Sequence, residues 1–162
     1  MERKAARIVR ALEAAEGLKT YEQRWNPRSK VRLLSLTGLA GFQRLGVDIV
    51  RVPPGHESFS YHAHLFEEEW LYVLEGEGVA RVDGVEHALH PGDFLGFPAP
   101  QVAHVIINRG TADFVFLEGG EKRQGDVIDY PDLGKRYVLL SEEGKASFYP
   151  LGAAEHHFSE SE

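Results

Sequence analysis

The residues best suited to chemistry gather in one stretch, where two histidines and a carboxylate lie close together. His62 and His64 are separated by one residue, and Glu69 follows shortly after them. Side chains two positions apart on a strand point to the same face, so both imidazoles can aim at one point. Imidazole nitrogens and a carboxylate are ligands for divalent metal ions, and one ion would satisfy all three groups together.

Glu69 is the last of three adjacent glutamates, and the strand pattern favours it over Glu67 and Glu68. A strand predicted from Glu69 places Leu71 and Val73 on the same face as that carboxylate. A carboxylate on an apolar, inward face needs a partner. Glu68 has the opposite parity, and a run of charges is usually a solvated face. The pattern therefore predicts Glu69 as the inward carboxylate.

Composition limits the classes of protein that fit. The chain has 162 residues, 43% of them hydrophobic and 27% charged, which is ordinary for one globular domain. A net charge of −7 argues against nucleic acid as a partner. Cysteine is absent, so nitrogen and oxygen must hold any metal. No apolar run approaches the ~20 residues of a membrane span, and the charged N-terminus lacks a signal-peptide core, so we expect no membrane partner and a cytoplasmic protein.

Short β segments at even spacing, separated by turn residues, dominate the middle of the chain. The predicted strands cover residues 45–52, 57–64, 69–75, 78–82, 85–89, 94–97, 102–108 and 112–118. Many short strands at this spacing are typical of a sandwich, barrel or jelly roll. No βαβ alternation is visible, which argues against a doubly wound nucleotide-binding sheet.

The flanks complete a three-part organisation: 1–44, 45–120 and 121–162. In the first part, residues 1–17 have an apolar stripe that predicts a short N-terminal helix. An irregular arm with one strand near 31–36 follows it. The last part is predicted to be an extension with extra strands at 136–140 and 146–149 and a flexible tail from residue 152.

The spacing around the two histidines resembles the first sequence motif of the cupin superfamily. That motif runs from a glycine through an HxH pair to a glutamate and a second glycine. This chain has Gly55, His62, His64, Glu69 and Gly76, with the two later spacings of the motif. One extra residue lies between Gly55 and His62, which is a difference in loop length.

A later stretch resembles the second cupin motif and adds a third histidine. It contains Gly92, Pro98, His104 and Asn108 in the expected order. Pro100 stands where a glycine is usual, and one extra residue precedes His104. Taken alone, His104 on an apolar face is more often a satisfied core residue than a ligand. Asn108 is predicted to cap the strand rather than bind metal.

The resemblance implies an all-β fold, the double-stranded β-helix or cupin jelly-roll barrel, preceded here by the short N-terminal helix. It carries over His62, His64, Glu69 and His104 as the metal ligands. Such a set suits divalent iron, manganese, zinc, nickel or copper. Residues 46–55 and 125–132 are also similar to bacterial single-domain cupins of uncharacterised function.

The function implied by the resemblance is a metal-dependent enzyme acting on a small polar molecule inside the barrel. A dioxygenase would use iron to bind oxygen beside the substrate. An isomerase would use zinc or manganese to polarise a carbonyl next to an acid/base group. The alternative is a non-catalytic small-molecule binding or sensor protein. The motifs offer no further histidine or tyrosine that would identify a catalytic residue.

Cupins of this size commonly form homodimers, which protects exposed strand edges. The segments 31–36 and 136–149 are the candidates for edge pairing. Arg51 would clamp an anionic substrate if it faced inward, but the pattern favours Val50 and Val52 as the inward residues and Arg51 as solvated. The remaining histidines are predicted to be surface or packing residues: His56, His87, His90, His156 and His157.

Overall fold

The structure is a computed structural model that describes residues 6–11, 17–140 and 145–152. These ranges contain strands, one short α-helix and a 3-10 helix at Pro131–Leu133. The elements are β1 (Lys19–Gln23), β2 (Asn26–Ser35), α1 (Leu36–Ala40), β3 (Leu45–Val52), β4 (Ala63–His64), β5 (Glu69–Glu75), β6 (Gly78–Val82), β7 (Val85–Leu89), β8 (Phe94–Phe97), β9 (His104–Ile107), β10 (Phe114–Glu121), β11 (Gly125–Tyr130), β12 (Lys135–Leu140) and β13 (Lys145–Pro150).

The strands form three antiparallel sheets. The six-stranded sheet has the order β1-β2-β3-β10-β5-β8, and the smaller sheets have the orders β13-β12-β11-β4 and β7-β6-β9. One core cluster joins Val50, Leu71 and Phe116 of the large sheet to Ala80 and Ile106 of the three-stranded sheet. The sheets therefore face each other across a shared interior, which is the cupin jelly-roll arrangement.

The alternation of side chains along β5 shows why this sequence forms a barrel wall. Leu71 and Val73 are each 1% exposed, whereas Tyr72 and Leu74 on the other face are 41% and 38% exposed. This is the period of two that a half-buried strand requires. Glu69 begins the same strand with the parity of the buried pair, so the strand directs its carboxylate into the barrel.

Gly76 ends β5 at a turn that requires a glycine. Its φ is +79°, and a Cβ there would lie 2.6 Å from the Asp113 carbonyl oxygen. Any other residue would meet both the left-handed backbone and this close approach. The motif glycine thus fixes the path by which the chain leaves the strand that carries Glu69.

Most of the predicted strands are present, and several have the predicted bounds, including β3, β5, β6, β7 and β8. The predicted strand at 57–64 is reduced to Ala63–His64. Its remainder makes isolated bridges, such as Glu57 to Ile107 and His62 to His104. Val50 and Val52 are fully buried and Arg51 has the opposite parity, so the outward prediction for Arg51 is confirmed.

The flanks hold more regular structure than the sequence indicated. The arm at 20–44 contains β1, β2 and α1, and β2 lies between β1 and β3 in the large sheet. The α-helix begins after Ser35, whose Oγ accepts the amide hydrogen of Gly38. Of the segment predicted as an N-terminal helix, residues 6–11 are not helical, and 1–5 and 12–16 lie outside the described residues.

The C-terminal extension contains the two predicted strands, as β12 and β13, together with β11, which was not predicted. The tail beyond residue 152, with His156 and His157, lies outside the described residues. None of the helices in the described ranges has the length and apolar character needed to cross a membrane.

Candidate metal centre

The four predicted ligands meet at one point inside the barrel. The backbones of His62 and His104 pair directly, with N···O distances of 3.1 and 2.8 Å, so these two side chains share a face. Their Nε2 atoms lie 3.8 and 3.4 Å from Oε2 of Glu69. Nε2 of His64 lies 3.3 Å from the same oxygen. Residues from β4, β5 and β9 thus converge on a single small volume.

The hydrogen bonds of the three rings fix which nitrogen faces this volume. Nδ1 of His62 lies 2.9 Å from the Ser60 carbonyl oxygen, and Nδ1 of His104 lies 3.1 Å from that of Val102. A carbonyl only accepts, so each Nδ1 must carry the hydrogen. In the neutral ring the lone pair is then on Nε2, the atom that points to Glu69.

His64 is oriented by Asp126 on β11, a residue that the motifs did not indicate. Its Nδ1 is hydrogen-bonded to Oδ2 of Asp126. The other carboxylate oxygen accepts the amide hydrogen of Phe66 at 3.1 Å. Asp126 is 2% exposed, so it cannot exchange these partners for water. A carboxylate behind a histidine is the usual way in which a ligand ring is held in place.

The ionisation states of two of these groups suit metal binding. Burial, aided by His104, lowers the pKa of His62 to about 3, which keeps that ring neutral at pH 7. Burial acts to raise the pKa of Glu69, but the hydrogen bond with His104 and the adjacent rings lower it to about 2. A neutral imidazole and an ionised carboxylate are the forms that ligate.

His64 behaves differently because it has two carboxylate neighbours. Burial acts to lower its pKa, but the hydrogen bond to Asp126 and the charge of Glu69 raise the pKa above the ordinary value. The surroundings of this ring therefore favour a positive charge. A bound cation would supply that charge at Nε2 instead of a proton.

The donor set fits a divalent transition-metal ion. Nε2 of His64 is buried and has no hydrogen-bond partner among the described residues. A buried nitrogen without a partner is costly, and a metal bond at that atom would remove the cost. His62, Glu69 and His104 form a group whose ligand atoms all lie within 4.8 Å of one another. Three imidazoles and one carboxylate match the preferences of iron, manganese, zinc, nickel or copper.

The neighbouring glutamates have other positions. Glu68 is exposed. Glu67 accepts the amide hydrogen of Arg123 at 2.6 Å, and with His64 and Asp126 it forms a second group of close ligand atoms. Because Nδ1 of His64 already binds Asp126, this second group acts as a support for the ring. Among the three adjacent glutamates, the structure brings Glu69 to the histidines.

Gly120 leaves the space that the Glu69 side chain occupies. It lies opposite Glu69 in the pairing of β10 with β5. A Cβ at Gly120 would lie 2.9 Å from the Glu68 carbonyl oxygen and 3.1 Å from Cγ of Glu69. A larger residue would therefore displace the carboxylate from the three rings.

Asn108 has a structural role, as the sequence indicated. Its Nδ2 donates to the carbonyl oxygens of Val52 and Ala112, both at 2.8 Å, and its Oδ1 accepts the amide hydrogen of Gly110. These bonds use both donor hydrogens and the acceptor of the side chain. The motif asparagine therefore fixes the turn after β9 and does not face the metal centre.

A further carboxyl group, Glu118, shares the barrel interior with the candidate ligands. A cavity of about 20 Å³, enough for one water-sized group, is lined by Glu118 together with His62, Glu69 and His104. Glu118 lies opposite Leu71 on β5 and opposite Asp48 on β3. Burial and the charges of Glu69 and Asp48 raise the pKa of Glu118 to about 8. An ionisable group thus lies beside the candidate metal centre.

The sequence did not indicate Glu118 because it lies outside both motifs. Its only signal is parity: it alternates with Phe114 and Phe116 on an otherwise apolar face of β10. Asp48 shows the same signal on β3, between inward positions, and its Oδ1 is buried without a hydrogen-bond partner in the described chain. Acidic residues at inward positions of a core strand need a reason to be there.

Access to the centre is narrow. The ring of Phe97 stacks on that of His104, with centroids 3.6 Å apart and 9° between the planes. Phe97, Pro98 and Val102 line the approach from the side of His64 and Glu67. The apolar approach limits water around the rings, and a substrate must displace these side chains to enter.

The fold and the ligand cluster define a class, that of small metal-binding jelly-roll proteins. The cupin-domain family profile matches residues 48–119. The chain belongs to the cupin superfamily. No curated protein sequence matches it.

Two solved structures resemble the whole chain. A candidate sugar phosphate isomerase of Acidithiobacillus ferrooxidans is 31% identical, with a TM-score of 0.87 over 94% of this chain and 97% of that one. A sugar phosphate isomerase from a cupin superfamily, of Silicibacter pomeroyi, is 28% identical, with a TM-score of 0.75 over 85% and 87% of the two chains. A predicted oxalate decarboxylase of Thermotoga maritima, 24% identical, has a TM-score of 0.62 over 72% of this chain and 100% of that one, and shares the fold.

Proposed function

We propose that this protein is a metal-dependent isomerase that acts on a small sugar phosphate. His62, His64, Glu69 and His104 would hold the metal. The observation that carries the proposal is the position of Glu118, whose carboxyl lines the same cavity as three of these four residues. An isomerase needs a group that accepts and returns a proton beside the polarised oxygen, and Glu118 is so placed. The names of the two most similar structures support the substrate class.

The chemistry divides between the metal and the chain. A divalent ion at this centre would supply a Lewis acid for the oxygens of the substrate. Glu118 takes the proton from the hydroxyl-bearing carbon next to the carbonyl and returns it to the former carbonyl carbon. The hydroxyl proton moves between the two substrate oxygens in the same conversion. The reaction is internally balanced and needs no oxidant or reductant.

The size of the cavity sets how the substrate lies. Because the cavity beside Glu118 has a volume of about 20 Å³, only the reacting end of a substrate can reach it. The phosphate would remain at the approach lined by Phe97, Pro98 and Val102. Displacing Phe97 from His104 would open this path, and its return would exclude water from the reacting carbons.

The test is proton exchange followed by NMR. Protein purified without a polyhistidine tag is loaded with manganese, zinc or iron and incubated with small aldose and ketose phosphates in heavy water. We expect deuterium to appear on the carbon next to the carbonyl. Glu118→Gln should keep the metal and lose about a hundredfold or more of the exchange rate. Glu121→Gln, on the same strand but paired with Arg123 at the surface, is the matched control.

Three results would contradict the isomerase. Oxygen consumption by the iron-loaded protein would favour a dioxygenase. Tight binding of a sugar phosphate without exchange would favour the non-catalytic binding or sensor role. Equal exchange by wild type and Glu118→Gln would remove Glu118 from the reaction.

We also infer that the protein forms a homodimer through the edge of its four-stranded sheet. β13 is the last strand of that sheet and carries the exposed rings of Phe148 and Tyr149. The segment 31–36 offers no such edge, since β2 pairs on both sides. Light scattering that gives a monomer mass would reject the dimer.

A further inference from the structure

A second cavity, of about 360 Å³, lies outside the barrel wall. We call it the outer pocket and define it by six lining residues: Trp25, Arg28, Ser60, Tyr61, Arg81 and Val105. Its volume is within the range of sites that bind small molecules. Neither the proposed isomerase activity nor the cupin motifs use this cavity.

The outer pocket is separated from the metal centre by the strand β9. His104 and Ile106 point into the barrel, where they line the cavity beside Glu118. Val105 and Ile107 alternate with them and form the floor of the outer pocket. The two cavities therefore lie on opposite faces of one strand.

Ser60 provides a hydrogen-bonding group that the chain does not use. It is 4% exposed, and its Oγ is buried without a partner among the described residues. Its other polar groups are occupied: the amide bonds to Oε1 of Gln23, and the carbonyl accepts from Nδ1 of His62. A buried hydroxyl without a partner is disfavoured unless a ligand or water completes it.

Arg81 supplies a planar cationic group in the wall. Its guanidinium carbon lies 4.0 Å from the centre of the Tyr61 ring, so the group is flat against the aromatic face. Nη1 and Nη2 donate to the two oxygens of Asp132 at 2.7 and 3.2 Å. This arrangement shows that the fork is presented to a two-oxygen anion.

The carboxylate now at Arg81 is replaceable. Asp132 is 51% exposed, and an exposed ion pair contributes little to stability. A second cation, Arg28, is 72% exposed and is bonded through Nε to Glu57 at 2.9 Å. Lys135 lies 4.6 Å from the centre of the Trp25 ring and adds a third cation near the pocket. Three cations against two carboxylates make this region locally positive in a chain of net charge −7.

We propose that the outer pocket binds a small organic anion, with its carboxylate or phosphate on Arg81 and its apolar body over Val105 and Tyr61. Ser60 donates its hydroxyl hydrogen to a polar atom of that ligand. A carboxylate and a phosphate monoester present the same oxygens to a guanidinium, so the test includes both. The site is independent of the metal, and it stands whether or not the isomerase does.

The binding test uses metal-free and metal-loaded protein with three probes of similar shape. Phenyl phosphate and benzoate carry the anion, and benzyl alcohol is the neutral counterpart. In a ¹H–¹⁵N NMR titration, the anions should shift the amide signals of Val105 and Ile107. Benzyl alcohol should bind about tenfold more weakly or not at all.

Variants with opposite expected effects separate a ligand site from damage to the fold. Arg81→Gln should weaken phenyl phosphate binding about tenfold or more. Asp132→Asn removes the competing carboxylate and should strengthen binding. Ser60→Ala should weaken binding several-fold without lowering the melting midpoint, because the hydroxyl has no partner to lose. Arg123→Gln is the control, an exposed arginine paired with Glu121 away from the pocket.

Four outcomes would overturn the proposal. The first is no shift of the floor amides by either anion, and the second is equal binding of the neutral probe. The third is weaker binding by Asp132→Asn. The fourth is a dimer that Arg81→Gln dissociates in the absence of any probe binding, which would make the pocket an interface between two copies of the chain.

Discussion

The three histidines at the candidate metal centre are held in two different ways. His62 and His104 each donate to a carbonyl two residues earlier in their own segment, those of Ser60 and Val102. His64 depends on Asp126, a side chain 62 positions away on another strand. The first two rings acquire their orientation as soon as their strands pair. The third acquires it only when β11 has docked on β4.

This difference shows which part of the centre is vulnerable. A backbone carbonyl cannot be removed by substitution, so the orientations of His62 and His104 are robust. Asp126 can be changed by one mutation, and its effect should appear at a metal ligand that it does not replace. The centre therefore combines two locally determined ligands with one that reports the assembly of the whole barrel.

Asp126→Asn is expected to have the largest effect on this contrast. The amide can still accept a hydrogen bond, but it loses the charge that supports the His64 ring. Metal affinity should fall about 10–100-fold in a chelator competition titration. Asp132→Asn, at an exposed aspartate, should leave the affinity unchanged. An Asp126→Asn protein with wild-type affinity would show that His64 needs no remote support.

Gly120→Ala tests the position of the carboxylate ligand. The new Cβ would lie 3.1 Å from Cγ of Glu69 and should push that side chain off the three rings. We expect about a tenfold loss of metal affinity and a free energy of unfolding lower by about 1–2 kcal/mol in urea denaturation. Gly96→Ala, where the Cβ would make an ordinary 3.7 Å contact, is the control. Equal effects of the two substitutions would refute the steric account.

Glu118 predicts how the stability of the metal-free protein depends on pH. Its pKa is raised from 4.5 to about 8, so between these values the folded chain holds a proton that the unfolded chain has lost. The contribution of Glu118 to stability is full below the lower value and is lost as the pH rises through the higher one.

Glu118→Gln should therefore raise the melting midpoint at about pH 9 by about 2–4 °C, corresponding to about 1 kcal/mol. The midpoint at about pH 4 should change little, because the carboxyl is protonated in both states there. Glu121→Gln should show no such dependence. A midpoint that falls at high pH in Glu118→Gln would contradict the assignment.

The exposed histidines should show no effect. His87 and His90 lie on the surface, outside the cluster that Glu69 joins. His87→Ala should retain the metal content of the wild type in elemental analysis. A loss of metal in this variant would mean that the surface binds the ion that the barrel is proposed to hold.

The parts of this protein that are local in sequence were predictable. The spacing of His62, His64 and Glu69 and the alternation along β5 follow from strand geometry, and the structure brings these residues together. The buried position of Val50 and Val52 follows from the same alternation. Each of these predictions depends on residues within one or two strands.

The parts that depend on contacts between distant segments were not predictable. β11 appeared polar because Asp126 and Asp129 interrupt its apolar pattern. Both aspartates are buried, paired with His64 and Arg136 respectively. Their partners are set by the tertiary fold, so the polarity that suggested a loop is the feature that holds the strand in place. Glu118 was missed for the same reason, since its role comes from the residues across the barrel.

Metal content tests the central claim most directly. Wild-type protein, purified without a polyhistidine tag and dialysed against a weak chelator, should carry close to one divalent transition-metal ion per chain in elemental analysis. The double variant His62→Ala/His64→Ala should carry almost none while retaining the β-sheet circular dichroism of the wild type. Equal metal content in the two folded proteins, whether high or low, would contradict the assignment of His62, His64, Glu69 and His104 as a metal centre.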